Sequence, residues 1–257
     1  MIYMKTLIPA AQLFTVRAFT QDTPGFRDTL QRVAKIGYTA VQISAIGPIP
    51  APEIKAALEE NHLTCCVTHS SFDRMQTDLP AMIAEHQLFG CSLMGIGAMP
   101  EQYRDSAEGF REFARVIAPI ARELKENGMR LTYHNHSFEF QRFSGKLGID
   151  ILFEETDPEA VEFVLDSYWI QAGGCNPVDY IRKANGRMSV FHLKDMQIHG
   201  WQQRFAPIFE GNLDFPAMFA ACRDTGVQYI AVEQDDCYGE DPFDCLARSY
   251  RNITANL

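Results

Sequence analysis

Short apolar runs alternate along the chain with longer segments whose apolar residues recur at helical spacing. In residues 26–36, for example, Phe26, Leu30 and Val33 fall on one face of a helix. Short apolar strands that alternate with such helices are typical of a parallel sheet covered by helices. The pattern predicts eight strands: Leu7–Leu13, Ala40–Ile43, Thr64–Thr68, Leu93–Ile96, Arg130–His134, Glu162–Leu165, Met188–Leu193 and Tyr229–Glu233.

Turn-forming residues separate these segments and limit the choice of fold. Gly37, Gly128 and Gly226 each follow a helical pattern, where glycine accepts the left-handed conformation that closes a helix. A doubly wound open sheet is the alternative to a closed barrel, but it usually carries a glycine-rich phosphate loop after its first strand. Residues 12–17 contain no glycine. Eight strand–helix pairs in 257 residues therefore predict an α/β fold, a (β/α)8 TIM barrel, as a single domain over residues 1–257.

The charge balance is acidic, with 33 Asp and Glu against 23 Lys and Arg and a formal net charge of −10. No run of Lys and Arg offers the basic patch that nucleic-acid binding usually needs, so DNA and RNA are not expected as partners. No apolar stretch reaches the ~18 residues of a membrane helix, and residues 1–7 lack the pattern of a signal peptide. Seven scattered cysteines are typical of reduced thiols, so a cytoplasmic location is expected.

Polar side chains stand where the predicted strands end, which is where the chemistry of a TIM barrel takes place. They are Gln12, Gln42, His69, His134, His136, Glu139, Asp166, His192 and Glu233. Buried carboxylates that share one site repel each other unless a cation is present. Taken singly, Asp166 is typical of a helix cap, His192 of a core histidine and Glu233 of a salt bridge at the barrel rim. Their occurrence on consecutive strands favours a metal site instead, and a mixed imidazole and carboxylate shell suits Mn²⁺, Zn²⁺, Fe²⁺ or Co²⁺ better than Ca²⁺.

Seven stretches, in order along nearly the whole chain, resemble the xylose-isomerase-like barrel superfamily, in particular its sugar phosphate isomerase/epimerase family. They are residues 12–17, 37–42, 133–140, 165–169, 192–195 and 210–215, and the strand of Glu233. The resemblance implies one divalent metal ion, with Mn²⁺ as the first choice and Zn²⁺, Co²⁺, Fe²⁺ or Mg²⁺ as alternatives. Its ligands would be an acidic residue after the fifth strand, then Asp166, His192 and Glu233. In the epimerases of this superfamily, two Glu ligands exchange a proton with the carbon beside the substrate carbonyl.

The fifth strand departs from that family pattern. Where the epimerases carry Glu, the register places His134, and the nearest carboxylate is Glu139. We expect Glu139 to reach back and complete the ligand set, with His134 as the alternative ligand. We expect His136 to transfer the proton, because an imidazole pKa near 7 matches that task, and Glu139 and Glu233 to complete the catalytic set. The residues expected to bind the substrate are Gln12, His69, Trp169 and Lys194.

The expected activity is isomerisation or epimerisation of a sugar, through an enediolate that forms when a proton leaves the carbon beside the carbonyl. The same enediolate leads to elimination if a leaving group occupies the β carbon, so a lyase or dehydratase acting on a keto sugar or a 3-keto glycoside is the alternative. A sugar-binding partner subunit is the non-enzymatic alternative. A zinc-dependent nuclease of the same superfamily would need more metal-binding histidines than this chain offers. The expected partner is therefore a small-molecule sugar or keto sugar, and the sequence is compatible with a homo-oligomer.

Overall fold

Eight parallel strands form a nearly closed barrel in the computed structural model of this chain, which describes residues 6–257. Residues 1–5 belong to the segment used in the signal-peptide argument and lie outside the described residues. The strands, in chain order, are β1 Ile8–Gln12, β2 Ala40–Ile43, β3 Thr64–His69, β4 Leu93–Ile96, β5 Arg130–His134, β6 Val161–Val164, β7 Val190–Leu193 and β8 Tyr229–Val232. All eight predicted strands are present, and the predicted TIM-barrel fold is confirmed.

The strands lie side by side in the order β6, β5, β4, β3, β2, β1, β8 and β7. Backbone contacts close the remaining seam between β6 and β7. Phe163 N donates to Arg187 O at 2.8 Å, and His192 N donates to Leu165 O at 2.8 Å. Asp166 and His192 form an isolated parallel bridge at the same seam. The segments that complete the barrel therefore also carry two of the predicted metal ligands.

Helices cover the outside of the barrel and connect its strands. The ten α-helices assigned within residues 6–257 are α1 Thr23–Ile36, α2 Ala51–Glu60, α3 Phe72–Thr77, α4 Leu79–Leu88, α5 Ala107–Glu126, α6 Gly148–Glu155, α7 Ser167–Ala172, α8 Pro177–Lys183, α9 Phe215–Thr225 and α10 Pro242–Thr254. Short 3-10 helices span Leu13–Phe19, Glu101–Tyr103 and Phe138–Phe140. Asp241 caps α10 by accepting a hydrogen bond from Phe243 N at 2.7 Å, as its place before a proline predicts.

Strand alternation explains why the site residues share one mouth of the barrel. Residues two positions apart in a strand lie on the same face, so Val190 points the same way as His192, and Ala231 the same way as Glu233. A cluster of mostly small apolar side chains fills the barrel below the site. Its buried members are Ala10, Ala40, Cys66, Val67, Leu93, Val164, Val190 and Ala231. The polar residues therefore stand on an apolar base at the carboxyl ends of the strands.

Among residues 6–257, no helix is both long and apolar enough to cross a bilayer. All seven cysteines have free thiols, and five of them are buried. The assignment of a single domain over residues 1–257 stays a prediction.

A hairpin follows β7, with strands Asp195–His199 and Gln202–Ala206. Its first residue, Asp195, is completely buried and ties the hairpin to the chain that follows. The Asp195 carboxylate accepts hydrogen bonds from Met196 N at 2.7 Å, Gly211 N at 2.8 Å and Leu213 N at 3.3 Å. A Cβ atom on Gly211 would lie 2.5 Å from Asp195 Oδ1, so only glycine allows this approach. The Asp and Gly of the stretches at 192–195 and 210–215 thus have a structural role.

Replacing Asp195 by Ala is expected to lower the free energy of unfolding by about 3 kcal/mol, because it leaves buried N–H groups without an acceptor. Asp195→Asn keeps one acceptor oxygen and should lose about half as much. Urea denaturation of the two variants and the wild type measures both losses. An Asp195→Ala variant with the wild-type unfolding midpoint would show that the carboxylate does not hold this segment.

Candidate metal and active site

Four buried side chains meet at the carboxyl-terminal mouth of the barrel. They come from the ends of β5, β6, β7 and β8, and each offers one nitrogen or oxygen atom within 4.8 Å of the other three. The members of this four-residue group are His134, Asp166, His192 and Glu233. None of them is more than 4 % exposed. Two imidazoles and two carboxylates in this arrangement can bind a metal ion.

Asp166 has two roles that the sequence analysis treated as alternatives. Its Oδ1 atom accepts a hydrogen bond from Trp169 N at 3.0 Å and so caps α7. Its Oδ2 atom faces the group, 3.4 Å from His134 Nε2 and 3.7 Å from His192 Nδ1. The backbone N of Asp166 donates to Asn135 Oδ1 at 3.0 Å, which fixes the turn after β6. The helix cap therefore orients the same carboxylate toward the group.

The two histidines are held so that one ring nitrogen of each faces the group. The outer nitrogen of His134, Nδ1, lies 3.0 Å from Gly97 O, and that of His192, Nε2, lies 2.6 Å from Gln42 Oε1. With both partners assigned as oxygen acceptors, each neutral ring carries its proton on the outer nitrogen. His134 Nε2 and His192 Nδ1 then point their lone pairs at the carboxylates in the neutral rings. Hydrogen bonds that fix the ring tautomer in this way are usual behind metal-binding histidines.

Glu233 is oriented by a similar contact from behind. Gln12 Nε2 donates to Glu233 Oε1 at 2.9 Å, which leaves Oε2 to face His192 Nδ1 at 3.1 Å. Gln12 Oε1 accepts from Phe14 N at 2.8 Å, and this contact starts the 3-10 helix that ends β1 earlier than the sequence predicts. Gln12 is completely buried and does not line the cavity beside the group. The structure therefore places Gln12 behind Glu233, where it orients the carboxylate.

Lys194 supplies the positive charge among these carboxylates. Its Nζ atom lies 2.8 Å from Glu233 Oε2, 2.9 Å from Asp235 Oδ1 and 3.2 Å from Asp166 Oδ2, and the side chain is buried. Burial raises the pKa of Asp166 and Glu233, but the Lys194 ammonium and the neighbouring imidazoles together outweigh burial and hold both pKa values well below the usual range. Both carboxylates are therefore ionised at neutral pH, as metal ligands must be.

The ring of His192 shows that the centre of the group favours a cation. Burial lowers the pKa of His192, but the hydrogen bonds that the protonated ring donates to Asp166 and Glu233, together with the charges of these carboxylates, outweigh burial and leave that pKa raised. Burial, followed by the effect of His192, lowers the pKa of His134. The point where the two carboxylates meet the inner ring nitrogens thus stabilises positive charge, whether a proton or a metal ion brings it.

Glu139, the favoured fourth ligand in the sequence analysis, is not a member of the four-residue group. Its two oxygens are occupied elsewhere: Oε1 accepts from Tyr133 Oη at 2.6 Å, and Oε2 accepts from His136 N at 2.9 Å. The 3-10 helix Phe138–Phe140 turns the carboxyl group back against β5 instead of toward the other strands. His134, the alternative ligand, takes the fourth place because it ends β5 at the barrel mouth.

The completely buried Glu139 should make stability depend on pH. Burial raises its pKa to about 7 from an ordinary value of 4.5. Between these values the folded chain keeps a proton that the unfolded chain releases, so stability falls as pH rises from 4.5 to 7, by about 3 kcal/mol. Glu139→Gln cannot ionise and lacks this loss. The free energy of unfolding of the variant minus that of the wild type should therefore rise by about 3 kcal/mol across this range. Urea denaturation at several pH values measures the difference, and a constant difference would contradict the assignment.

A cavity of about 410 Å³ lies beside the group and opens to solvent. Its polar and charged lining comes from Ser44, His69, Ser70, His134, His136, Lys194, Glu233 and Asp235, and its larger apolar lining from Phe14, Phe72 and Ile96. Its volume is in the range of small-molecule sites. A larger groove, of about 630 Å³, lies between α8 and the start of α9 and contains no member of the four-residue group. The smaller cavity, which lies beside the four-residue group, is therefore the candidate substrate site.

The structure divides the remaining predicted residues into two sets. His69 and His136 line the cavity, and His69 Nε2 and His136 Nδ1 are buried without a hydrogen-bond partner. Trp169 does not line it, but its ring lies 5.5 Å from that of His136 and 5.3 Å from Lys194 Nζ. Burial lowers the pKa of His136 to about 3, with smaller effects from His134 and Lys194. The expectation that the pKa of His136 lies near 7 is therefore wrong, and its ring is neutral at physiological pH.

Sequence reasoning missed two groups that orient the site and gave a third too small a role. The Gly97 carbonyl, which holds His134, leaves no side-chain signal in the sequence. Asn135 stands between the two histidines of a His-Asn-His stretch, and that position was a signal for its role. Asp235, two residues after Glu233, was not among the predicted site residues, yet it pairs with the buried Lys194.

Comparison with known proteins assigns the class. A family model described as xylose isomerase-like TIM barrel matches residues 30–243, and the chain belongs to this family. Over 205 residues it is 25 % identical to an inosose dehydratase of Geobacillus kaustophilus, a match that covers 68 % of this chain and 66 % of that protein. The matched segment thus spans slightly less than two thirds of that relative.

Solved structures of other proteins share the fold. A sugar phosphate isomerase/epimerase of Parabacteroides distasonis superposes with a TM-score of 0.81 at 22 % identity, covering 98 % of this chain and 94 % of that chain. An L-ribulose 3-epimerase superposes with a TM-score of 0.74 at 16 % identity, covering 98 % of this chain and 95 % of that chain. At these identities the two likenesses show the fold alone.

Proposed function

We propose that this chain is a divalent-metal-dependent sugar isomerase or epimerase, which moves a proton on the carbon beside a carbonyl. The observation that carries the proposal is the paired tautomer control of His134 and His192. Both rings turn a lone pair toward two ionised carboxylates in a buried site, and that arrangement serves a metal ion better than it serves packing. The proposed ligands are the four members of the group, with Mn²⁺ preferred and Zn²⁺, Co²⁺, Fe²⁺ or Mg²⁺ as alternatives.

The chemistry that such an ion supplies when bound is Lewis-acid stabilisation of negative charge on a substrate oxygen. The chain's own residues must then hold the ketone and move its proton. Glu233 both belongs to the group and lines the cavity, so we assign it the proton transfer. His136 lines the same cavity as a neutral ring, and we assign it a hydrogen bond to the substrate oxygen, a task that a neutral imidazole performs without carrying charge.

Glu139 then supports the site without touching the substrate. Its Oε2 atom holds the backbone N of His136 at 2.9 Å, so it positions that ring through the main chain. His69 offers an unpartnered ring nitrogen for a substrate hydroxyl. Lys194, already paired with three carboxylates, keeps Glu233 ionised. The proposal also places the enzyme in the cytoplasm, in keeping with its free thiols.

A dehydratase is the second candidate, and the relative from Geobacillus kaustophilus favours it. Elimination needs the same first step, removal of a proton beside a carbonyl, followed by loss of a hydroxyl from the β carbon. The site is asymmetric, with one carboxylate and a neutral imidazole in place of two Glu residues, and such an arrangement suits proton removal on one face with departure of water. A sugar-binding subunit without activity is less well supported, because binding a sugar does not need four potential metal ligands whose orientation is fixed by hydrogen bonds.

Product analysis separates the two candidates. The Mn²⁺-loaded protein is incubated with D-allulose, D-fructose, a 3-keto glucoside and an inosose, and each mixture is followed by NMR. An isomerase or epimerase yields a ketose or aldose of unchanged mass. A dehydratase yields a product lighter by one water. If every substrate is recovered unchanged from a protein that binds one metal ion per chain, both candidates fail.

A further inference from the structure

We propose that the cavity accepts an uncharged polyhydroxy ketone and rejects its phosphate ester, and that Asp235 enforces this choice. The inference rests on the proposed function and specifies its substrate class. Asp235 lines the cavity next to the four-residue group, and its side chain is 23 % exposed, so it faces an incoming substrate.

Lys194 is the only Lys or Arg among the residues that line the cavity, all of which lie in the described part of the chain. Its ammonium is within 3.2 Å of three carboxylates, those of Glu233, Asp235 and Asp166. An ammonium has three N–H donors, and three acceptors already surround this one. A phosphate would have to compete with all of these carboxylates for the same cation.

Arg17 contacts the backbone of Asp235 from the neighbouring groove, and its guanidinium is also engaged. Its two terminal nitrogens lie 3.2 Å from the backbone oxygen of Asp235, and one of them donates to Phe14 O at 2.8 Å. The guanidinium carbon lies 4.1 Å from the centre of the Phe14 ring. Arg17 lines the groove outside the cavity, so its charge does not point at a ligand inside.

The charges within the site balance when a divalent ion is present. Asp166, Glu233 and Asp235 bring three negative charges, Lys194 brings one positive charge, and the ion brings two. A neutral ketone leaves this balance unchanged. A phosphate ester adds roughly two negative charges at pH 7, and Asp235 stands at the cavity wall to repel them. The unpartnered ring nitrogens of His69 and His136 instead offer contacts that suit hydroxyl groups.

The test compares matched pairs of substrates: D-allulose with D-allulose 6-phosphate, and D-fructose with D-fructose 6-phosphate. Deuterium incorporation from D₂O by the Mn²⁺-loaded protein gives kcat/KM for each. The wild type is expected to prefer the neutral sugar by about 100-fold. Asp235→Asn is nearly the same size, and it should reduce this preference about tenfold by removing the repelling charge. Metal content and unfolding midpoint show that the variant is folded.

Asp236→Asn is the matched control, because it makes the same change one residue along the chain. Asp236 is exposed, does not line the cavity, and accepts a hydrogen bond from Tyr238 N at 2.7 Å that Asn can also accept. It should keep the wild-type preference. A wild type that prefers the phosphate ester, or an Asp235→Asn variant with the full wild-type preference, would overturn the inference while leaving the proposed function intact.

Titration with inorganic phosphate tests, without any turnover, whether the charge of Asp235 excludes a phosphate group from the cavity. Asp235→Asn, loaded with Mn²⁺, is expected to bind phosphate at a concentration on the order of millimolar. The Mn²⁺-loaded wild type is expected to show no binding even at about 10 times that concentration. If neither the neutral ketones nor their phosphate esters incorporate deuterium, the proposed function fails. If the wild type bound phosphate as tightly as Asp235→Asn does, this result alone would show that Asp235 does not exclude phosphate.

Discussion

Asp166→Ala is expected to lose Mn²⁺ binding, with an affinity at least about 100-fold below that of the wild type. The Oδ2 atom of Asp166 faces both ring nitrogens of the group, and within residues 6–257 no other carboxylate oxygen forms an ion pair with His134. The same variant loses the cap of α7 and should also lose about 1 kcal/mol of stability. Isothermal titration with Mn²⁺ and urea denaturation measure the two losses separately.

Asp166→Asn separates the two roles of this residue. Its amide oxygen can still accept the hydrogen bond from Trp169 N, while its amide nitrogen replaces the oxygen that faces the group. We expect wild-type stability with the same loss of Mn²⁺ affinity as in Asp166→Ala. An Asp166→Asn variant that binds Mn²⁺ as tightly as the wild type would remove Asp166 from the ligand set.

Glu233→Gln is expected to slow the turnover of a sugar substrate by about 1,000-fold, measured at saturating Mn²⁺. The substitution keeps the oxygen that accepts from Gln12 Nε2 and removes the negative charge that faces His192. The variant can thus keep its position but cannot accept a proton. Because Glu233 is also a proposed ligand, the metal content of each sample is measured alongside kcat.

Glu162→Gln is the matched control for Glu233→Gln. Glu162 is a buried glutamate of β6 at the opposite end of the barrel, where it pairs with Arg130 at 2.9 Å and accepts from Ser189 N at 2.9 Å. Removing the charge of Glu162 should lower the stability of the protein but change neither its metal content nor its kcat. If Glu162→Gln slowed turnover as much as Glu233→Gln, the effect would reflect general loosening of the barrel. If Glu233→Gln kept wild-type turnover, Glu233 would not be the base.

The barrel and three members of the four-residue group followed from the sequence for a simple physical reason. Parallel strands bring their carboxyl ends to one mouth, so the polar residues that end apolar strands must lie close together. Asp166, His192 and Glu233 were identified in this way, and the structure brings them together. Their burial also followed, because each strand presents small or branched apolar side chains two positions earlier.

The fourth member depended on a loop, and spacing does not determine the course of a loop. Glu139 has the right chemistry and stands only five residues after His134. Its direction depends on the 3-10 helix at Phe138–Phe140 and on hydrogen bonds from Tyr133 and His136. These contacts hold the carboxylate against β5, away from the mouth of the barrel. A residue inside a strand has a direction set by the pleat, so the place of His134 in the four-residue group was the more predictable one.

Charge coupling between distant residues was the other part that the sequence left open. Lys194 was expected to bind substrate, but carboxylates from the ends of β6 and β8 surround it. Residues that are 28 or more positions apart give no periodic signal for such a pairing. The pKa of His136 was misjudged for the same reason, because its value depends on burial beneath neighbouring rings that only the folded chain assembles.

The central claim is that this chain uses a divalent ion to move a proton beside a carbonyl. The most direct measurement follows deuterium entry from D₂O into D-allulose and an inosose by NMR, with wild-type protein as prepared, after EDTA, and after Mn²⁺ is restored. We expect incorporation on the carbon beside the carbonyl with Mn²⁺, none after EDTA, and full recovery on restoration. Incorporation that survives complete removal of metal would contradict the account, as would a protein that binds one Mn²⁺ per chain and exchanges no proton on either ketone.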